Sequence, residues 1–248
     1  IGGDGTLAIA HQFFKMGIPI VGVPKTIDND IVGTTNCFGF DTAVAFATDA
    51  IDRLHTTAEA HKRIMIVEVM GRYAGWIALY AGVAGGADAI LIPEIPFEIA
   101  KAADRLLERD RWGAKFSIVV VAEGACPKGG ARSLVAEAHD GFVERLGGMG
   151  AQVCEALARA TGKETRSVVL GHLQRGGAPT SFDRVLATRF GAKAVELAKR
   201  GEFGTMVAFA PPDIIARPLD EVVGKTRTVP LDFDLVRTAR AMGVTFGD

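Results

Sequence analysis

Short runs rich in β-branched residues recur along the chain at Ile18–Val23, Ile64–Val69, Ala89–Ile92, Phe116–Ala122, Ser167–Gly171 and Thr205–Ala210. Unbroken apolar runs of this kind are what strands buried on both faces require. Between them, apolar residues return at helical spacing over Leu7–Met16, 41–60, 76–85, 98–109, 149–160, 182–199 and 233–242. Strands alternating with helices predict an α/β fold, with a largely parallel sheet, or two of them, covered on both faces. A chain of 248 residues fills one large domain of this type or two modest ones.

In such a fold the carboxyl ends of the strands are where ligands bind. Several of the predicted strands end there in polar side chains. Ile18–Val23 runs into Pro24-Lys25-Thr26-Ile27-Asp28-Asn29-Asp30, which sets a cation, a hydroxyl and two carboxylates within six residues. Asn29 and Asp30 are ordinary turn residues, but the Lys-Thr-Ile-Asp lead-in is not explained by a turn. Arg72 follows 64–69, Glu123 follows 116–122, and His172 with Arg175 follow 167–171. Singly, each reads equally well as a surface arginine, a cap or a core histidine. Five such groups at strand ends point to a site. Near the start, Gly2-Gly3-Asp4-Gly5-Thr6 is a short glycine-rich loop ahead of a helix. There backbone N–H groups can approach phosphate, and Asp4 can meet Mg²⁺.

Charge narrows the partners. Lys and Arg number 28 against 29 acidic residues, so no global field favours nucleic acid or a membrane surface, and anion recognition falls to local cations. No stretch approaches the ~18 apolar residues of a membrane span. Cys37, Cys126 and Cys154 have no metal-ligand spacing, which agrees with a reduced, cytoplasmic setting. Ile1-Gly2-Gly3 reads as the end of a strand and its loop, so a carboxyl-terminal portion of a longer sheet protein is expected.

These residues resemble the 6-phosphofructokinase family, of phosphofructokinase A type, in the branch that mixes ATP- and pyrophosphate-dependent members. The resemblance runs through Gly2-Gly3-Asp4-Gly5-Thr6, Pro24–Asp30, Phe38-Gly39-Phe40-Asp41-Thr42-Ala43, Met70-Gly71-Arg72, Pro93-Glu94, Ala122-Glu123-Gly124 and Gly171-His172-Leu173-Gln174-Arg175-Gly176-Gly177. It implies two doubly wound, largely parallel three-layer α/β/α domains. Residues 1–39 and 178–230 would bind the phosphoryl donor, and 40–177 and 231–248 the sugar phosphate, with the amino-terminal part of the family's chain absent. It also implies transfer of a phosphoryl group from ATP to the 1-hydroxyl of fructose 6-phosphate, a glycolytic kinase reaction, with Mg²⁺ as cofactor.

By the same resemblance Asp28 is the general base, and Thr26 and Arg72 stabilise the transferring group. Gly3, Asp4, Gly5, Thr6 and Lys25 contact the donor, with Asp4 holding the metal. Thr26, Asp28, Asp30, Met70, Gly71, Arg72, Glu123, His172 and Arg175 line the sugar-phosphate site. Arg63 and Arg166 resemble the two arginines lent by a neighbouring subunit, which implies a homodimer or homotetramer with shared sites. The donor is open to two readings. Gly5 stands where pyrophosphate users carry aspartate and leaves room for a nucleotide's α-phosphate, while Lys25 matches pyrophosphate users. Gly5 has the greater weight, so ATP is expected and pyrophosphate is the alternative. A non-catalytic regulatory subunit would have lost the base or the metal carboxylate, and Asp28 and Asp4 are both present.

Overall fold

The computed structural model describes residues 1–136 and 145–248. In chain order it begins with α1 (Asp4–Lys15), β1 (Val21–Gly22), β2 (Lys25–Thr26), β3 (Phe38–Gly39), α2 (Phe40–His61), β4 (Ile64–Val69) and α3 (Trp76–Ala84). It continues through β5 (Ala89–Leu91), α4 (Ile99–Arg111), β6 (Ser117–Ala122), β7 (Leu134–Ala136), β8 (Arg145–Leu146), α5 (Met149–Thr161) and β9 (Thr165–Val169). A 3₁₀ helix (Gly171–Arg175), α6 (Ser181–Arg200), β10 (Thr205–Ala210), β11 (Asp213–Pro218), α7 (Leu219–Val222) and α8 (Asp234–Ala241) complete it. The chain divides into two units, one of residues 1–43 and 177–227, the other of 44–176 and 228–248.

In the first unit β10 pairs parallel with β1 and antiparallel with β11. Alternation along β10 explains both layers. Met206 and Ala208 face Leu7 of α1 and Leu219 and Val222 of α7, whereas Val207 faces Leu186, Phe190 and Leu197 of α6. Gly22 lets α1 lie close to the sheet, since a Cβ there would meet the Leu7 side chain at 2.9 Å. Two expectations need correction. The strand expected over 18–23 is reduced to Val21–Gly22, because Ile18 lies 46% exposed and has no ladder partner among the described residues. Helix α1 begins at Asp4 rather than Leu7, since the first-turn carboxylate suits the positive end of the helix dipole.

The amino ends of α2 and α6 cap each other. Thr180 Oγ accepts from Asp183 N at 3.3 Å and donates to Asp41 at 2.6 Å. The buried Asp183 carboxylate accepts from Thr42 N at 2.8 Å and Thr42 Oγ at 2.5 Å. Orphan helix-end donors are thus satisfied by side chains of both helices.

The second unit holds a fully parallel sheet in the order β5-β6-β4-β9. Helices α4 and α5 cover one face, packing Ala102, Leu106, Met149, Val153 and Leu157 against Ile64, Ile66, Val119 and Val121. Helix α3 covers the other face at close range, and a Cβ on Gly82 would meet Ile90 at 2.7 Å. Trp76 of α3 packs edge-on against Phe233 beside α8, with ring centroids 5.3 Å apart. Glu68 is a carboxylate inside strand β4, and it receives Gly148 N at 3.1 Å and Gly150 N at 2.7 Å at the start of α5. A charge there is tolerated because a helix amino end meets it.

Strand β9 spans Thr165–Val169, two residues earlier than expected, since Gly171 with φ 48° opens the 3₁₀ turn instead. The glycine-rich sequence of 125–148 predicts loop and helix, and its described residues hold loop and the antiparallel pair β7–β8. The 137–144 part of that expectation lies outside the described residues.

Candidate functional site

In the first unit the residues expected to meet the donor gather around the start of α1. Gly3 is the N-cap residue, and a Cβ on it would lie 3.7 Å from Thr26 Cβ. Asp4, Gly5 and Thr6 form the exposed first turn. Gly2 locks this start to the Lys25 segment: its N donates to Val23 O at 3.1 Å, and its O accepts from Lys25 N at 2.9 Å. Lys25 and Thr26 then pair parallel with Phe38 and Gly39, where Gly39 has φ 106°. Gly3, Asp4, Gly5, Thr6, Lys25 and Thr26 are therefore neighbours in space.

Beyond Thr26 the chain turns sharply. Thr26 Oγ accepts from Asp28 N at 3.1 Å, closing a side-chain turn. Asn29 follows with φ 55°, and its amide oxygen accepts from the buried Cys37 N at 2.9 Å. Its Nδ2 donates to Thr35 O at 3.3 Å. From the far end of the chain, Arg227 donates through its side chain to Asn29 O at 3.1 Å and through its backbone to Asp30 O at 2.7 Å. Asp28 and Asp30 thus stand on a loop tied at both ends. Burial, with the Asp30 charge adding to it, pushes the Cys37 thiol far above its usual range, so this cysteine serves packing.

In the second unit the four strands of the sheet are parallel, so Met70, Gly71, Arg72, Glu123, His172 and Arg175 all fall at its carboxyl edge. Arg72 has the left-handed φ of 53°, after Gly71 at 140°. Its N donates to Glu123 Oε1 at 3.1 Å, and Glu123 N donates to Val69 O at 2.9 Å. A Cβ on Gly124 would stand 1.9 Å from Arg72 O, so only glycine allows that approach. Glu94 supports the same loop, accepting from Gly75 N at 3.0 Å and Val229 N at 2.8 Å, while its burial raises the carboxyl pKa. His172 and Arg175 project exposed from the 3₁₀ turn, which Gln174 anchors through a 3.3 Å bond to Gly171 O.

Arg63 and Arg166 are not brought to that edge. They precede or begin β4 and β9, at the amino ends of the strands, and share Glu164 at 3.1 and 2.6 Å. Sequence reasoning missed Arg227, whose partner Asn29 lies 198 residues away, and Tyr73, over whose ring Arg72 and Arg132 both lie. Tyr73 could have been flagged by its place between Arg72 and Gly75. Arg227 carried no local signal. Among the described residues no three His, Cys, Asp or Glu side chains form a metal cluster. A lone carboxylate such as Asp4 fits Mg²⁺ carried in by phosphate oxygens and water.

Comparison with known proteins shows the family. The phosphofructokinase family model matches residues 1–198. An ATP-dependent 6-phosphofructokinase of Chloroflexus aurantiacus is 57% identical over 248 residues, covering all of this chain and 68% of the relative. A pyrophosphate–fructose 6-phosphate 1-phosphotransferase of Amycolatopsis mediterranei is 53% identical over 234 residues, covering 94% of this chain and 68% of the relative. Among solved structures, a pyrophosphate-dependent phosphofructokinase from Marinobacter aquaeolei superposes with a TM-score of 0.75 at 26% identity. That likeness covers 98% of this chain and 64% of the other. The chain belongs to the phosphofructokinase family.

Proposed function

We infer that this chain carries out the transfer of a phosphoryl group from ATP to the 1-hydroxyl of fructose 6-phosphate, giving fructose 1,6-bisphosphate. The reading rests on one observation above the others: Asp28 is held on a doubly tied loop by the hydroxyl of Thr26, which itself lies beside Gly3, the N-cap residue of α1. Asp28 takes the proton of the 1-hydroxyl as its oxygen forms the bond to the γ-phosphorus. The bond from that phosphorus to the bridging oxygen breaks, and ADP leaves. Such a transfer needs placement and cations more than covalent chemistry. Lys25, Thr26 and Arg72 supply donors for the charge on the moving group, and the amino end of α1 favours the phosphate chain. Mg²⁺, when bound, neutralises donor phosphate oxygens, and Asp4 is the residue to hold it.

Residues 1–39 and 178–230 are read as the donor-binding part, close to the unit of 1–43 and 177–227, and 40–177 with 231–248 as the sugar-phosphate part, close to the unit of 44–176 and 228–248. Met70, Glu123, His172 and Arg175 hold the sugar phosphate at the carboxyl edge of the parallel sheet. Arg63 and Arg166, at the other edge, are read as lent to a second copy of the chain. A guanidinium pair sharing one carboxylate keeps a net positive charge for the phosphate dianion.

Pyrophosphate is the second reading of the donor, favoured by Lys25 and by the name of the Amycolatopsis relative. The test is kcat/KM for ATP and for pyrophosphate in the full-length protein, then in Gly5→Asp. A Cβ at position 5 meets nothing within 4 Å, so the variant is expected to fold. ATP is expected to win in the parent and to lose most of its activity in the variant. A parent faster with pyrophosphate refutes the assignment.

A further inference from the structure

The Arg72 guanidinium has an unusual rest position. Among the described residues it makes no ion pair, and the group it touches is the ring of Tyr73, 5.1 Å from the ring centroid. Consecutive side chains of an extended chain point to opposite sides. The left-handed backbone at Arg72 breaks that alternation and lets the two neighbours meet. The Arg132 guanidinium lies 5.0 Å from the same centroid. Its loop and Tyr73 also line a cavity of about 440 Å³ with Pro93, Glu94, Thr228 and Leu231.

We propose that Tyr73 is a positioning residue for Arg72, its ring face ordering the guanidinium before substrate arrives, with Arg132 steadying that ring. The inference rests on the reading of Arg72 as the group that stabilises the transferring phosphoryl. A cation meant for a phosphoryl group has two needs that conflict. It must be fixed in advance, because reorganisation during transfer raises the barrier. It must also keep its charge and its N–H donors for the incoming oxygens. A carboxylate partner would meet the first need by defeating the second. An aromatic face meets both, since it orders the guanidinium plane through the ring quadrupole and leaves the in-plane N–H groups free.

The test is a double-mutant cycle in the full-length protein, with kcat, KM for fructose 6-phosphate and Tm measured for each variant. Tyr73→Leu is expected to lower kcat about tenfold and to change KM less, the loss of one ordered cation–π contact. Tyr73→Phe keeps the ring face and is expected to retain most of the parental kcat. In an Arg72→Ala background, Tyr73→Leu is expected to add nothing, because the guanidinium it ordered is gone. Should Tyr73→Leu fail to fold, Arg132→Gln replaces it in the cycle, with a fall of about threefold that also vanishes in the Arg72→Ala background.

Three results overturn the proposal: a Tyr73→Leu enzyme with parental kcat, a fall that persists undiminished without Arg72, or a Tyr73→Phe enzyme as slow as Tyr73→Leu. Parental kcat in Arg72→Ala alone refutes the catalytic reading of Arg72 instead, so the two failures are told apart.

Discussion

Gly124 is a residue without chemistry of its own whose replacement is expected to cost catalysis heavily. In Gly124→Ala the new methyl group would stand 1.9 Å from Arg72 O and 3.3 Å from a Pro93 side-chain carbon. Carbon and carbonyl oxygen do not approach closer than about 3 Å, so one backbone segment must move by about 1 Å. The segment that can yield is the 71–74 turn, since Gly124 follows the central strand β6. Strain of this kind is worth roughly 1–3 kcal/mol of stability, and for a protein this size each kcal/mol lowers Tm by roughly 2–4 °C. The catalytic effect is expected to exceed the structural one, because a misplacement of about 1 Å at the reacting groups costs on the order of 10²-fold in rate. The shift also breaks the 3.1 Å bond from Arg72 N to Glu123, so KM for fructose 6-phosphate should rise together with the fall in kcat. Steady-state kinetics and thermal unfolding of the full-length protein measure both effects. Gly191→Ala is the control: a Cβ there meets nothing within 4 Å inside helix α6, so Tm should hold or rise by a few degrees and kcat should stay. A folded Gly124→Ala enzyme with kcat within about threefold of the parent refutes the claim that Arg72 is fixed by this contact.

Asp28→Asn removes the proposed proton acceptor and is expected to lower kcat by on the order of 10²–10⁴ with far less change in KM. A variant with near-parental kcat takes Asp28 out of the mechanism. Mixing Arg166→Ser with Asp28→Asn protein, after dissociation and reassembly, should restore part of the activity if subunits share sites. Verified hybrids without recovery count against sharing. Burial raises the Glu94 carboxyl above its ordinary 4.5, so the folded state binds that proton more tightly than the unfolded one. Its contribution is thus favourable at low pH and turns into a penalty as pH rises through the raised value. Glu94→Gln, whose amide oxygen can accept from Gly75 and Val229, should gain stability relative to the parent across that rise, followed by denaturant unfolding at several pH values. A gain that shrinks with rising pH contradicts this sign.

What the sequence made legible follows from the range of the interactions involved. The strands of the second unit are buried on both faces, so their residues are apolar throughout, and β4 and β6 stand within a residue of where the pattern puts them. The polar groups after them are legible because a parallel sheet collects every carboxyl end on one edge. Strand β11 escaped notice because it is half-exposed, carries Arg217, and owes its existence to antiparallel pairing with β10. Strand β1 was overread because an apolar run marks burial and not ladder partners, and Ile18 lies outside the sheet. The loop around Asp28 was found by its residue types. Its fastening by Arg227 depends on a contact across nearly the whole chain, which no local pattern encodes.

The glycines show how the structure separates two causes that look identical in sequence. Gly2, Gly71 and Gly124 are each explained by the fold, since a Cβ would meet Thr6, Ala74 O and Arg72 O at 2.5, 2.6 and 1.9 Å. Gly5 is different. It lies in the first turn of α1 with ordinary helical backbone, and a Cβ on it touches nothing within 4 Å. Glycine inside a helix costs roughly 0.5–1 kcal/mol relative to alanine, so nothing within the chain favours it there. A residue that the fold would rather replace is best explained by something outside the fold. The exposed turn it occupies adjoins Lys25 and Thr26, on the side proposed for the donor. The same argument cannot be made for Lys25, because a lysine on an exposed strand costs the fold nothing and attracts any phosphate chain alike. That asymmetry is why Gly5 has the greater weight in assigning ATP as the donor.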